Sequence, residues 1–191
     1  MGGLVEDMLL LARLDQDRPL DSRRVDMLSL ASDAVSDAQA VDPTRRITLR
    51  RMTQPPFVED EPVTRGDEAR LRQVLGNLVM NALRHTPAGT PVEVRVGVQD
   101  NAVPHVVVEV SDQGPGMPDD IAARVFERFF RADPGRSRQH GGTGLGLSIV
   151  AAVIKAHHGE IECRSAPGSG TTFVITLPTA STAGTALRGP G

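Results

Sequence analysis

The chain of 191 residues carries a formal net charge of -3, with 39% hydrophobic and 24% charged residues, which is enough apolar material for one core of ordinary domain size plus an appended segment. With no Trp or Tyr and only five Phe, base-stacking platforms are scarce, and the mildly acidic balance argues against nucleic acid as a partner. A single cysteine, Cys163, excludes an intrachain disulfide, and no apolar run approaches a membrane span, so the chain reads as a cytoplasmic domain.

In chain order, the opening "LVEDMLLLARLDQ" predicts a helix with a wide apolar stripe at Leu4, Met8, Leu11 and Leu14, flanked by Val5 and Leu9. It lacks a signal-peptide pattern and a helix cap, and reads either as a first core helix or as the cut end of a longer one. After "DRPLDSRR" a second helix is expected from about Asp26 to Val41, stopped by Asp42 and Pro43. "RITLRRM" alternates as a strand, and "FVEDEPVTRG" reads as a short hairpin around an acidic turn.

Asp67 can cap the next helix, "EARLRQVLGNLVMNALRHT", which ends before Pro87. At about 100 degrees per residue, Leu71, Val74, Leu75, Leu78 and Ala82 form one apolar face. Asn77, Asn81, Arg84 and His85 fall along its edge. Two asparagines one turn apart beside a buried face are costly unless their amides find partners, though solvation or local bonding would also satisfy them.

"PVEVRVGV" and "HVVVEVSD" predict an antiparallel hairpin whose second strand ends at Asp112, before the glycines of "DQGPGMP". An acidic residue at a strand end followed by glycines suits a binding loop, and equally an ordinary turn. A short helix near "DDIAARVF" leads into "ERFFRADPGRSRQHGGTG", a long polar segment with Arg128, Arg131, Arg136 and Arg138 that reads as a functional lid or as disorder. "GGTGLGLSIV" then flows into a helix with Leu147, Val150, Ile154 and His157 at helical spacing and Gly159 as its stop. A glycine-rich turn opening a helix presents free N–H groups and the positive end of the dipole, which suits a polyphosphate. The sole lysine, Lys155, lies inside the helix, so this is no Walker loop, and Leu147 stands where a dinucleotide fingerprint needs its last glycine. "GEIECRS" and "GTTFVITLP" predict a closing hairpin in which Cys163 is a core thiol, and the tail from Thr179 is expected to be unstructured.

Four blocks in fixed order stand together: Asn77 with Asn81, "DQGPGMP", "VFERFFRAD" and "GGTGLGLSIV". They resemble the N, G1, F and G2 boxes of the catalytic and ATP-binding domain of sensor histidine kinases, over about residues 22–178. Residues 1–18 resemble the end of the second helix of the family's dimerisation and histidine-phosphotransfer domain, with 179–191 as the tail. The resemblance implies an α/β sandwich, with helices on one face of a mixed, mostly antiparallel sheet.

It also implies roles. Asn81 would ligate Mg2+ through its amide oxygen and Asn77 would help position the ion or the phosphates, since hard Mg2+ needs few protein ligands when phosphates supply the rest. Asp112 would accept a hydrogen bond from the adenine amino group, with Gly114 and Gly116 allowing close approach to the base. His85 would flank the nucleotide where many relatives carry Tyr, and Arg84 would meet phosphate where many carry Lys. Arg131 would reach the γ-phosphate, so that Asn77, Arg84 and Arg131 carry the catalytic part. Gly142, Thr143, Gly144, Leu145, Gly146 and Leu147 would form the lid and helix start around the triphosphate.

The implied activity is transfer of the γ-phosphoryl of Mg-ATP to a histidine on a dimerisation domain, for relay to an aspartate of a response regulator. None of His85, His105, His140, His157 and His158 stands in an acceptor context, so the chain reads as a fragment of a larger homodimeric, membrane-anchored sensor, itself monomeric. Two alternatives stay open: another ATPase of the superfamily, such as an anti-sigma serine kinase, or a non-catalytic nucleotide-sensing module. The hydrolases place a general-base Glu where Asn77 stands, and an amide cannot take a proton from water at neutral pH.

Overall fold

The computed structural model describes residues 2–14, 21–131 and 144–181. In chain order the elements are α1 (Gly2–Leu14), β1 (Arg23–Asp26), α2 (Met27–Val41), β2 (Ile47–Met52), β3 (Phe57–Val58), β4 (Val63–Gly66), α3 (Glu68–His85), β5 (Val92–Gln99), β6 (His105–Asp112), α4 (Asp119–Ala122), α5 (Gly146–Ala156), β7 (Glu160–Ser165) and β8 (Thr171–Pro178). The main sheet has the order β2-β5-β6-β8-β7. Only β2 runs parallel to its neighbour; the other pairs are antiparallel. The expected architecture of helices over a mixed, mostly antiparallel sheet is what forms.

Alternation in the strands decides which face is covered. Val92, Val94 and Val96 of β5, Val106, Val108 and Val110 of β6, and Phe173, Ile175 and Leu177 of β8 are buried in the core shared with α2, α3 and α5. On the opposite face the charged residues pair across strands, Arg50 with Glu93 at 3.0 Å and Arg95 with Glu109 directly opposite it in the ladder. There Met52, Val107 and Val174 close over a small second cluster with Phe57.

The central helix, α3, is the element on which the layers meet. Leu71, Val74, Leu75, Leu78 and Ala82 are all buried, as the spacing predicts. Full burial of each leucine contributes about 1.5–3 kcal/mol. Asp67 caps the helix through a carboxylate that accepts from Arg70 N at 3.1 Å. The N–H of Asp67 in turn donates to Nε2 of His157 at 3.0 Å, and Nδ1 of His157 lies 2.7 Å from the Val153 carbonyl. Because Nε2 accepts, the ring proton sits on Nδ1, and the imidazole ties the end of α5 to the start of α3 in its neutral form. Gly66 makes room for it: a Cβ there would lie 2.3 Å from His157 Cδ2.

Four local expectations are corrected. "FVEDEPVTRG" is not a hairpin: β3 pairs with β5, while β4 pairs with β1, a short charged strand of sequence "RRVD". Tertiary partners, not the acidic turn, decide the pairing there. In α1, among the described side chains, Leu10 and Leu11 are buried toward α5 whereas Val5, Met8 and Leu9 are exposed. Of the expected stripe, Leu11 faces the core and Met8 does not, the Leu4 and Leu14 side chains lying outside the described residues. The left-handed residue that ends α5 is His158, with φ 57, rather than Gly159. Gly159 is needed for close packing instead, since a Cβ would come within 2.5 Å of the Thr176 carbonyl. Thr179, assigned to the tail, is buried.

Burial pushes His157 below the ordinary imidazole value of 6.5. The fold holds the ring neutral while the unfolded chain takes up a proton, so its contribution is complete above a pH of about 6.5 and is lost as the pH falls below that value. In urea titrations from about pH 7.5 to about pH 5.5, the wild type is expected to lose stability more steeply than His157→Gln, which starts about 1–3 kcal/mol lower. Parallel pH dependences would show that His157 is not the group responsible.

Candidate functional site

One edge of α3 carries the polar residues that the apolar face leaves over. Asn77 and Asn81 are half-buried, and Arg84 and His85 are exposed at the C-terminal end. The Asn77 amide nitrogen donates to the carbonyl of Gly146, the first residue of α5, at 3.3 Å. That bond leaves its side-chain oxygen for another partner. Among the described residues no hydrogen bond engages the Asn81 amide. No cluster of three or more His, Cys, Asp or Glu that could hold a metal occurs among the described residues. A hard ion at this edge would therefore be met by amide oxygens and complete its shell with phosphate oxygens and water, a donor set that fits Mg2+.

The far end of the same edge reaches the loop after β6. Asp112 is buried at 8% exposure, and its Oδ1 accepts from Gly114 N at 2.8 Å. Burial pushes its carboxyl up, opposed by N–H donors from Gly114 and Thr171 and by the positive charges of His85 and Arg45. A Cβ on Gly114 would lie 2.5 Å from Thr86 Cγ2, so the residue after α3 forms one wall of this loop. From Asn77 to Thr86 the edge runs nine residues, about 13 Å. The start of α5 stands at one end and the Asp112 loop at the other.

The loop is held from its other side by the β7–β8 hairpin. Met117 N donates to Ser165 Oγ at 2.9 Å, Ser165 Oγ donates to Gly170 O at 2.8 Å, and Gly168 N donates to Pro115 O at 2.7 Å. Gly116 has φ 65, and a Cβ there would lie 2.0 Å from the Ala166 carbonyl. Gly170 has φ 75, with its Cβ position 2.0 Å from the Asp112 carbonyl. No side chain fits at either position, so the approach of the two loops requires glycine.

The "FERFF" block and Gly144 also meet. Phe126 stacks edge-on against Phe173 at 6.1 Å, and Phe129 N donates to Gly144 O at 3.0 Å, with Phe129 at φ 61 and Gly144 at φ 73. Arg131 follows, half-buried. Leu145 is buried and Leu147 packs against the core, so the two leucines anchor the start of α5 while Gly146 faces Asn77. Gly142, Thr143, Arg136 and Arg138 lie outside the described residues.

Arg45, Thr86, Ser165, Gly170 and Thr171 support this site without any signal in the sequence. Their partners are backbone groups or residues far along the chain, which periodicity cannot reveal. An open groove of about 620 Å³ between α4 and β7, lined in part by Ala122, Phe126, Ile161 and Cys163, contains none of the predicted site residues. Burial and the nearby Asp112 push the Cys163 thiol up to about 11, so it stays protonated and is not a nucleophile at neutral pH.

The model of the histidine kinase-, DNA gyrase B-, and HSP90-like ATPase family matches residues 66–181. The probable sensor histidine kinase TcrY of Mycobacterium tuberculosis is 50% identical over 92% of this chain and 35% of its own length. The sensor histidine kinase CusS of Escherichia coli K12 is 39% identical over 93% of this chain and 35% of its own. The chain thus spans about a third of each of these curated relatives. Among solved structures, full-length ShkA in complex with AMPPNP superposes with a TM-score of 0.73 at 31% identity, over 93% of this chain and 35% of that one. The mycobacterial sensor histidine kinase MprB superposes at 0.67 and 28%, over 83% of this chain and 98% of that one.

Two of the glycines with left-handed backbone, Gly116 and Gly89, separate conformation from contact. Gly116→Ala meets a backbone carbonyl as well as an unfavourable φ and is expected to cost about 3 kcal/mol or more in urea unfolding. Gly89→Ala, with φ 81 but open space around its Cβ, is expected to cost about 1 kcal/mol. Equal losses would mean that the two loops are not locked together.

Proposed function

Given that the chain belongs to the histidine kinase-, DNA gyrase B-, and HSP90-like ATPase family, we propose that it is the ATP-binding catalytic domain of a sensor histidine kinase, which passes the γ-phosphoryl of Mg-ATP to a histidine of a dimerisation domain. The observation that carries this reading is the polar edge of α3, which runs from Asn77 at Gly146 to Thr86 at Gly114 between two glycine-bearing loops. Its length and polarity suit a nucleotide laid along it. The base lies at the Asp112 end and the phosphates lie at the N-terminus of α5.

In this reading Asp112 accepts the adenine amino group, with Gly114 and Gly116 letting the base approach the backbone, and His85 flanks the nucleotide. Asn81, with Asn77 beside it, presents amide oxygen to Mg2+. Arg84 and Arg131 meet the phosphates, and Gly144 to Leu147 flank them at the start of α5. Bound Mg2+ supplies charge neutralisation as the phosphoryl group leaves. The residues of this chain position and hold the donor. Asn77 cannot activate a water as a carboxylate base would, which favours transfer to a protein side chain over hydrolysis.

His157 is buried with both ring nitrogens engaged, so it cannot serve as the acceptor. In this reading the acceptor histidine belongs to the dimerisation domain of a homodimeric parent, to whose second helix α1, with its exposed Val5, Met8 and Leu9, would belong. A response regulator is the onward partner and the bacterial membrane the parent's site. No helix among the described residues is long and apolar enough to cross a membrane, so anchoring would come from elsewhere in the parent.

Asn81→Ala is expected to remove most of the Mg2+ enhancement of ATP affinity in calorimetry; an unchanged enhancement would rule out the metal role. Asp112→Asn should weaken ATP by about 1–3 kcal/mol and erode the preference over GTP. With γ-labelled ATP the chain is expected to bind without labelling itself. A separately added dimerisation domain should then acquire acid-labile phosphate slowly, because tethering that would supply a local concentration near the millimolar range is lost. Rapid acid-labile labelling of the chain alone would refute the donor-only reading.

A further inference from the structure

We propose that Arg45 is a positioning residue for the base end of the nucleotide site, acting through the segment that joins α3 to β5; the inference rests on reading Asp112 as the adenine acceptor. Arg45 lies between α2 and β2, outside all four sequence blocks, and its side chain is 3% exposed. A buried guanidinium is tolerated only when it is well matched, and here each of its three nitrogens has an acceptor. Nη1 donates to Thr86 Oγ1 at 2.8 Å, to Pro87 O at 2.8 Å and to Thr90 O at 3.0 Å, Nη2 donates to Leu83 O at 3.0 Å, and Nε pairs with Asp42 at 3.3 Å.

Four of these five acceptors belong to residues 83–90, the end of α3 and the turn beyond it. That turn leads to Val92, which stands opposite Asp112 in the β5–β6 ladder. Gln113 N donates back to Pro91 O at 3.4 Å. Thr86, whose hydroxyl Arg45 grips, is the residue whose methyl walls Gly114, and Gly114 N is the donor to Asp112 Oδ1. One planar fork therefore sets the wall against which the Asp112 carboxylate is oriented, while Asn77 and Gly146 lie at the opposite end of α3. The Arg45 charge also favours the ionised, accepting form of Asp112. Lysine, a single point donor, cannot span the same four acceptors.

The consequence is a split between base and phosphate recognition. Calorimetry on the 191-residue chain with Mg2+ and ATP, GTP or inorganic tripolyphosphate reads it directly. Arg45→Met is expected to weaken ATP about tenfold, to remove most of the preference over GTP and to change tripolyphosphate affinity less than about twofold. In an Asp112→Asn background the same substitution should add no further loss, because both act on one interaction. Thr86→Val keeps the methyl and the volume and deletes the gripped hydroxyl, so it should give the same pattern at smaller size even if Arg45→Met does not fold. Equal losses for ATP and tripolyphosphate, additivity with Asp112→Asn, or an unchanged ATP preference in Thr86→Val would overturn the role of Arg45 alone. An Asp112→Asn protein that binds ATP and GTP as the wild type does would overturn the adenine assignment, and this inference with it.

Discussion

The rotation of α3 about its own axis is the constraint on which the rest depends. Its apolar face, centred on Leu71, Leu75 and Leu78, is buried between the sheet and the flanking helices, and any turn of the helix would expose leucine and bury amide. With that face fixed, Asn77, Asn81, Arg84 and His85 can lie only along its edge. The energetics of the core thus aim the polar residues, and no dedicated scaffold is required.

The helix is also pinned along its length. At its start, neutral His157 accepts from the N–H of Asp67 while the Asp67 carboxylate caps the first turn. At its end, Arg45 takes the Leu83 carbonyl, which the helix terminus leaves without an internal partner, together with the Pro87 and Thr90 carbonyls of the turn beyond. Both anchors are buried polar side chains from elements distant in sequence, and both have their bonding groups matched. Such contacts fix register more than they add net stability, since burying each group costs much of what its hydrogen bonds return.

Where α3 supplies position, the glycines supply proximity. The Asp112 loop and the β7–β8 hairpin approach so closely that Gly116 and Gly170 face carbonyl oxygens at 2.0 Å from where a Cβ would be. Backbone N–H groups and carboxylate are thereby brought to one edge without bulky side chains between them. Phe129 and Gly144, both with left-handed backbone, bring together the two flanks of the segment between them. The proposed site is thus built largely from backbone, with side chains entering it from α3, Asp112 and Arg131.

The sequence by itself determined the elements whose signal is local. The α3 face, its Asp67 cap, the β5–β6 hairpin and the closing β7–β8 hairpin follow from periodicity and turn chemistry, while the two asparagines stood out as amides beside a buried face and Asp112 as an acidic strand end before glycines. What only the tertiary structure decided is the set of partnerships made across the chain. Strand β1 reads as charged loop until β4 pairs with it, β3 joins β5 instead of β4, and α1 turns Leu10 and Leu11 toward α5 while leaving Met8 outside. The long-range roles of Arg45 and His157 carry no local pattern, because the Leu83, Pro87 and Thr90 carbonyls that Arg45 holds and the Asp67 N–H that His157 accepts from are about 40 and 90 residues away. Local propensity is written in neighbouring residues, whereas the matching of a buried polar group exists only once the chain has closed around it.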